Sequence, residues 1–367
     1  MSQSDHLQRR GPKSIAQLAD WPHVAWARLL VHDEGDFERR HRLARLALHF
    51  QKGFEVTSDY SGVGPDHDIL RSLAVAGEKF LHLPNDSFVA KLQFTRACDY
   101  GSPQQAILLA RAKQEGGRMC VFNDLHDRLP HSTIAWLDAA MPGQCFDKLE
   151  AALAYGAMSE WLMRQRAHLF RPDTTSFCLA HNRSCKMYPH WFQAQRSALA
   201  SSDGGASSAK RARPSLRRLD AFDSAVVDDA VAGDDETRDE GKLKAHLAAP
   251  TCTGWSSVGH QKHYGDATER PHGIWVAERK RLGEEAQEDV AFCENTPSYP
   301  VEQKLRQPLA DTHEVFGITF SPVPMGWPTR RSRKLMACLN MRATAWVGPP
   351  LKDLHVSFAN LLSARWR

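Results

Sequence analysis

The first third of the chain alternates between apolar runs and segments with helical spacing. Residues 54–59, 88–98 and 119–123 are three runs with the pattern of a strand. Apolar positions at helical spacing follow the first run over 69–73 and the second over 104–112. An alternation of this kind predicts an α/β fold with a parallel sheet and crossover helices.

The pattern changes in the middle of the chain. Helical spacing over 37–50 predicts a basic helical lead-in, and 144–170 predicts a long helix. Residues 197–245 are rich in small residues, then basic, then acidic, a composition that buries too little apolar surface to order itself and predicts disorder. Strand patterns resume in three places, at 245–250, 289–293 and 333–339.

Composition indicates a globular protein of one large or two ordinary domains. The chain has 367 residues, 42% hydrophobic and 25% charged, with a formal net charge of +4. Its eight cysteines are scattered, which suits a reducing compartment better than a disulfide framework. The first residues lack the apolar core of a secretory signal, and no apolar run approaches the roughly 18 residues that span a membrane.

Basic residues are unevenly distributed. Eight Lys and Arg residues lie from Arg330 onward against one acid, Asp353, so this end would meet phosphate or form a solvated rim. The cluster Lys210–Arg218 favours a nuclear location, with the cytoplasm as the alternative.

The segment 59–64 (Asp-Tyr-Ser-Gly-Val-Gly) lies between a predicted strand and a predicted helix. Glycines allow a tight turn and close approach of a ligand, and the helix N-terminus favours negative charge; a plain tight turn is the alternative. Asp99 and Asp124 end the next two strands, where carboxylates can bind ribose hydroxyls and an adenine amino group. Both could instead cap helices, and Asp127 competes with Asp124 for the adenine contact.

Cys252 and Glu294 each follow an apolar run, so we expect both at the ligand-binding edge of the sheet. A thiolate is a nucleophile, and a partly desolvated glutamate keeps its proton at neutral pH. A buried inert cysteine and an arginine-paired strand-end carboxylate are the alternatives. Arg331 and Arg333 alternate before the last predicted strand, on one face that suits an anion or a polarised base oxygen, or else a solvated basic edge.

A loop after the long predicted helix carries ligand types and approximate spacing of a zinc site. From the sequence alone we favour ordinary loop residues over zinc, because the match to common patterns is loose. The four positions are Cys178, His181, Cys185 and His190.

Taken in order, these segments resemble the motifs of the DNA cytosine-5 methyltransferase family. Segment 59–64 is similar to Asp-x-Phe-Ser/Ala-Gly-x-Gly, and 250–259 (Pro-Thr-Cys-Thr-Gly-Trp-Ser-Ser-Val-Gly) to Pro-Pro-Cys-Gln-x-Phe-Ser-x-x-Gly. Segment 292–296 resembles the Glu-Asn-Val motif, 123–125 the third motif, and 326–333 Gly-Val-Pro-Gln-Arg-Arg-x-Arg. The similarity covers about residues 54–128 and 245–340.

The resemblance implies a class I methyltransferase Rossmann-like sheet with helices on both faces. It implies S-adenosylmethionine as methyl donor and a flipped cytosine as substrate. Cys252 would add to C6 of the base, Glu294 would protonate or hydrogen-bond N3, and Arg331 with Arg333 would support the pyrimidine oxygen or Glu294. The cofactor-binding residues implied are Asp59, Tyr60, Ser61, Gly62, Gly64, Asp99 and Asp124.

The resemblance also implies a division of the chain. After the lead-in of residues 1–50 come a cofactor-binding half, a long insertion, a catalytic half and a C-terminal tail, at 51–130, 131–245, 246–345 and 346–367. About 34 residues follow Arg333, so we expect no target-recognition domain of the usual kind there.

Two other functions stay open. The same chemistry on RNA is one, because specificity would lie in a recognition region that the motifs do not include. A catalytically silent module that binds nucleic acid or a partner is the other. It is favoured by Thr251, Thr253 and Thr329, which replace a proline and two glutamines of the family motifs, and opposed by Cys252 and Glu294.

Overall fold

The computed structural model describes residues 20, 22–23, 26, 47–140, 147–188, 241–259, 261–321 and 331–344. Over this part of the chain, one nine-stranded sheet runs through the molecule in the order β5-β4-β3-β2-β1-β6-β7-β9-β8. The strands are β1 Phe54–Asp59, β2 Leu92–Cys98, β3 Cys120–Phe122, β4 Thr175–Cys178, β5 Arg183–Lys186, β6 Leu243–Ala248, β7 Val290–Asn295, β8 His313–Phe320 and β9 Arg333–Asn340.

Five longer helices accompany the strands in the described residues. They are α1 Pro65–Phe80, α2 Ser102–Gln114, α3 His131–Ala140, α4 Lys148–Leu169 and α5 Glu269–Glu284. Shorter turns of helix lie at Val89–Lys91, Leu125–Arg128, His263–Gly265, Glu302–Arg306 and Gln307–Leu309. None of the described helices is long and apolar enough to cross a membrane.

The central strands β3, β2, β1, β6 and β7 are parallel, and the strands at both edges are antiparallel. Asp59 pairs with Cys98 on one side and with Ala248 on the other, and Ala248 pairs with Cys293. The carboxyl ends of these strands therefore meet at one edge. The chain order reverses between β1 and β6, and a crevice at such a reversal is where open α/β sheets bind ligands.

Apolar residues on the two faces of the sheet form two cores. Phe54 and Val56 of β1 pack with α1 and α2, through Leu70 and Leu108, on one face. The other face is covered by α4 and α5, which contribute a second buried cluster that includes Met158, Leu162, Ile274 and Trp275. Because both faces of the parallel strands are covered, polar strand residues such as Ser58 and His246 are buried together with the apolar ones.

The α/β fold and the Rossmann-like sheet with helices on both faces are confirmed. The predicted β1 is correct at both ends, and α4 lies within the predicted 144–170 helix. β6 begins at Leu243, so the end of the segment predicted to be disordered is a central strand instead. The hairpin β4–β5, the strand β8 and the helix α5 were not predicted.

Part of the predicted insertion is built into this sheet, because α4 packs on α5 and β4 pairs with β3. Other predictions fall outside the described residues. These are most of the lead-in, the rest of the segment predicted to be disordered, His190, segment 326–330 and the tail 346–367.

Candidate active site

The chain makes a sharp turn directly after β1. Tyr60, Gly62 and Gly64 all have a positive φ, of 52°, 55° and 69°. Glycine adopts this conformation without steric cost, whereas at Tyr60 it is strained, as residues at functional sites often are. A Cβ on Gly62 would meet no atom of the described residues within 4 Å, so the backbone there faces open space. Pro65 then starts α1, so the N-terminus of this helix directly follows the glycine turn.

The glycine turn is bonded to the end of β2. Ser61 donates its backbone N–H to the carbonyl of Cys98 at 3.0 Å, and its Oγ accepts from the Cys98 N–H at 3.1 Å. Asp99 accepts from the Gly62 N–H at 2.8 Å and from the Gly101 N–H at 2.9 Å. The half-buried Asp99 carboxylate therefore lies beside the open face of Gly62. Two predicted cofactor-binding elements are thus adjacent.

Asp59 lies below this turn rather than at its surface. It has no exposed area and forms a bidentate ion pair with Arg128, with Arg96 at 3.6 Å. Burial alone would raise the pKa of Asp59, but the charges of Arg128 and Arg96 outweigh it and hold the pKa at about 2. In this structure Asp59 anchors the end of β1 from inside.

Asp124 caps the turn after β3. It accepts from the His126 backbone N–H at 3.0 Å and contacts His126 Nδ1 at 2.9 Å. The preceding residue, Asn123, donates from Nδ2 to Asp127 at 3.3 Å and accepts at Oδ1 from Gln105 at 2.7 Å. The helix-cap alternative is therefore realised at Asp124, at the same sheet edge as Asp99.

Cys252 lies in a compact loop after β6. The backbone N–H groups of Trp255 and Ser256 donate to the Cys252 carbonyl at 3.0 and 2.8 Å. Thr253 donates to Asp266 at 3.2 Å. A Cβ on Gly259 would lie 2.1 Å from the Thr253 carbonyl oxygen, so this approach of two backbone segments requires glycine. The Cys252 side chain is partly exposed, as a nucleophile must be.

The Cys252 loop is bonded to the segment that carries Glu294. Asn295 Nδ2 donates to the Pro250 carbonyl at 3.3 Å. Thr296 Oγ1 donates to the Trp255 carbonyl at 3.4 Å, and Ser298 Oγ donates to the same oxygen. β6 and β7 are neighbouring parallel strands. Cys252, in the loop after β6, and Glu294, near the end of β7, therefore lie at the same edge of the sheet.

Glu294 forms an ion pair with Arg333, and its side chain is 37% exposed. Burial raises the pKa of Glu294, and the positive charge of the exposed Arg331 opposes this. The structure therefore brings both predicted arginines to Glu294. Glu294 is therefore paired with an arginine, as the second interpretation of the sequence proposed, and its carboxyl group is also partly desolvated.

A buried lysine lies behind both loops. Lys304 is 1% exposed and forms an ion pair with Glu269, which also accepts from Trp255 Nε1 at 2.7 Å. Four aromatic rings surround its ammonium group at 5.0–5.6 Å, those of Tyr155, Trp255, Tyr264 and Tyr299. Sequence reasoning missed Lys304, because it lies in a polar helical turn with no pattern that predicts its burial.

The zinc candidates are also brought together. The side chains of Cys178, His181 and Cys185 are joined by Cys120, which the sequence did not indicate, with all four ligand atoms within 4.8 Å of one another.

A separate cavity of about 160 Å³ lies beside Arg96, Tyr188 and Glu288. Neither the glycine turn nor the Cys252 loop lines this cavity, so it is distinct from the candidate active site.

Comparison with known proteins adds little to the geometry. No protein-family model and no curated protein matches the chain. A methyltransferase of Entamoeba histolytica aligns with 82% of this chain at 10% identity and a TM-score of 0.34, and the chain spans 56% of that protein's length. A proposed RNA methyltransferase of Pyrococcus horikoshii aligns with 88% of this chain and 96% of its own, at 8% identity and a TM-score of 0.28. The fold assignment rests on the strand order, since both scores are low.

Proposed function

We propose that this chain transfers a methyl group from S-adenosylmethionine to C5 of cytosine in DNA. One observation carries the proposal: a partly exposed cysteine lies in the loop after β6, a partly desolvated glutamate lies near the end of the neighbouring parallel strand β7, and the two segments are joined by the Asn295–Pro250 hydrogen bond. A nucleophile and an acid at one edge are what addition across the C5–C6 bond requires.

The residues at the glycine turn fit the cofactor. Gly62 faces open space, Asp99 offers carboxylate lone pairs for ribose hydroxyls, and the first turn of α1 favours negative charge. When bound, S-adenosylmethionine supplies an electrophilic methyl group. Asp59 supports the turn from below and is not assigned a contact with it.

The chain's own residues would activate the base. The Cys252 thiolate adds to C6, and the displaced electron pair is accepted at N3, where Glu294 donates a proton or hydrogen bond. C5 then becomes nucleophilic enough to be methylated. Loss of the C5 proton to water, return of the N3 proton to Glu294 and departure of the thiolate from C6 then restore the aromatic ring. Arg333 pairs with Glu294 and the charge of Arg331 acts on it, so the two arginines would support Glu294 or the pyrimidine oxygen.

Transfer of tritiated methyl groups to DNA and RNA, measured side by side, tests the proposal. We expect label in DNA with the wild-type chain, none with Cys252→Ser, and full label with Cys338→Ala, a buried cysteine on β9. Label in RNA alone would support the RNA alternative. Absence of label in both would support a silent binding module.

A mechanism-based trap separates chemistry from binding. Fluorine at C5 cannot leave as the proton does, so 5-fluorocytosine DNA should remain bonded to Cys252 after methyl transfer. We expect a covalent complex by denaturing mass spectrometry that requires S-adenosylmethionine and is absent in Cys252→Ser. A complex that survives Cys252→Ser would assign the nucleophile elsewhere.

A further inference from the structure

We propose that Cys120, Cys178, His181 and Cys185 form a tetrahedral Zn²⁺ site that clamps the β4–β5 hairpin to the rest of the sheet. The four residues come from three neighbouring strands and one turn. Cys120 begins β3, Cys178 ends β4, Cys185 lies on β5, and His181 lies between the two hairpin strands. Three thiols and one imidazole are a common ligand set of structural zinc.

The distances match a zinc centre. The Nδ1 of His181 lies 3.5, 3.3 and 3.4 Å from the sulfurs of Cys120, Cys178 and Cys185. Zinc–sulfur bonds of about 2.3 Å and zinc–nitrogen bonds of about 2.0–2.1 Å at the tetrahedral angle separate sulfur and nitrogen by about 3.6 Å. The three separations in the structure agree with this value within a few tenths of an ångström.

The imidazole is held in the form that binds metal. His181 Nε2 lies 2.7 Å from the Gly117 carbonyl oxygen, which can only accept a hydrogen bond. Nε2 therefore carries the proton, and the lone pair on Nδ1 faces the three sulfurs. A backbone carbonyl that fixes the outer nitrogen of a histidine is a usual feature of metal ligands.

The site explains how a weakly paired hairpin stays on the sheet. β4 pairs with β3 at one register position, Phe122 with Cys178, supported by a hydrogen bond from the Leu179 N–H to the Val121 carbonyl at 2.8 Å. Four protein ligands fill the coordination of zinc, so the metal is structural. Binding releases three thiol protons to solvent and leaves a centre of net charge −1, from Zn²⁺ and three thiolates. No oxidant or reductant is needed.

Metal content of the untagged full-length chain, purified without chelator, tests the proposal. We expect about one zinc ion per chain by inductively coupled plasma mass spectrometry. Cys120→Ser, Cys185→Ser and His181→Ala should lose most of it, His181→Cys should keep it by restoring a four-ligand set, and Cys338→Ala should keep it as the matched control. Zinc that persists in the Cys120 and Cys185 variants would overturn the assignment.

Cobalt exchange decides the question even when a variant does not fold. The wild-type chain reconstituted with Co²⁺ should show the intense visible bands of tetrahedral cobalt and the near-ultraviolet thiolate charge transfer. A folded wild-type chain that carries no zinc and gives neither absorption would overturn the proposal, as would a disulfide between these cysteines in the freshly isolated protein.

Discussion

At Glu294, two opposing influences meet at one carboxyl group. Burial raises its pKa, and the arginines beside it favour the charged form. We expect Glu294→Gln to lower the rate of methyl transfer roughly 10²–10⁴-fold, because the amide keeps the shape but cannot give a proton to N3. Initial rates at saturating cofactor measure the effect.

Glu302→Gln provides the matched control for Glu294→Gln. Glu302 pairs with Arg306 at 3.4 Å on the surface, eight positions along the chain. The Glu302→Gln variant should leave the rate of methyl transfer unchanged. A Glu294→Gln rate within twofold of wild type would mean that Glu294 is a structural partner of Arg333 alone.

Lys304 and Glu269 form a buried pair behind the Cys252 loop. Lys304→Met should lower the free energy of unfolding by about 3–5 kcal/mol, because it leaves the Glu269 carboxylate buried without its partner. Adding Glu269→Gln should restore part of this loss. Urea unfolding of the two single variants and the double variant measures the coupling. Losses that simply add would show that the pair is not coupled.

At the scale of elements, the site depends on how the ends of β1 and β2 are joined. Asp99 accepts from the Gly62 N–H, so Asp99→Ala removes both the bond that fixes the turn and the carboxylate that we propose binds the ribose hydroxyls. We expect S-adenosylmethionine binding, measured by calorimetry, to weaken at least about tenfold, near the value of one charge-assisted hydrogen bond. Asp173→Ala, an exposed acid paired with Arg171, is the control. Equal affinities in both variants would remove Asp99 from the site.

Apolar positions and the turn residues that follow them explain why β1, β6 and β7 were predictable. All three strands are almost wholly buried, although only β7 begins with a continuous apolar run, Val290–Cys293. The β4–β5 hairpin has alternating or exposed positions over four residues each, too short to stand out. Cys120 could not be assigned to the metal cluster for a related reason. It lies 58 positions before Cys178, and only strand pairing brings the two together.

Across the whole molecule, the interior contains charges that sequence patterns cannot locate. Asp59, Arg128 and Glu278 meet from segments far apart in the chain and are all buried. From sequence, Asp59 has the position of a ligand-facing residue, because a strand-end acid and a buried ion-pair partner look alike until the partner strand is known. Removing one member of this cluster leaves a buried charge unpaired and typically lowers the free energy of unfolding by about 3–5 kcal/mol. A substitution of Asp59 would therefore destabilise the whole fold, so Asp99 is the more informative position for testing cofactor binding.

Buried histidines give the molecule a dependence on acid that can be assigned to single residues. Burial lowers the pKa of His272 to about 3, and its ring contacts Tyr299 in the core. The unfolded chain binds a proton at this position near pH 6.5 and the folded chain does not, so this histidine stabilises fully above pH 6.5 and loses its contribution as pH falls toward 3. His272→Gln should therefore reduce the pH slope of the free energy of unfolding between pH 6 and 4 by about 1.4 kcal/mol per pH unit. Urea titrations across this range measure the slope, with the exposed His168→Gln as the control for substituting any histidine. Because the comparison is between variants, other titrating groups cancel, and an unchanged slope in His272→Gln would show that His272 is protonated in the folded chain.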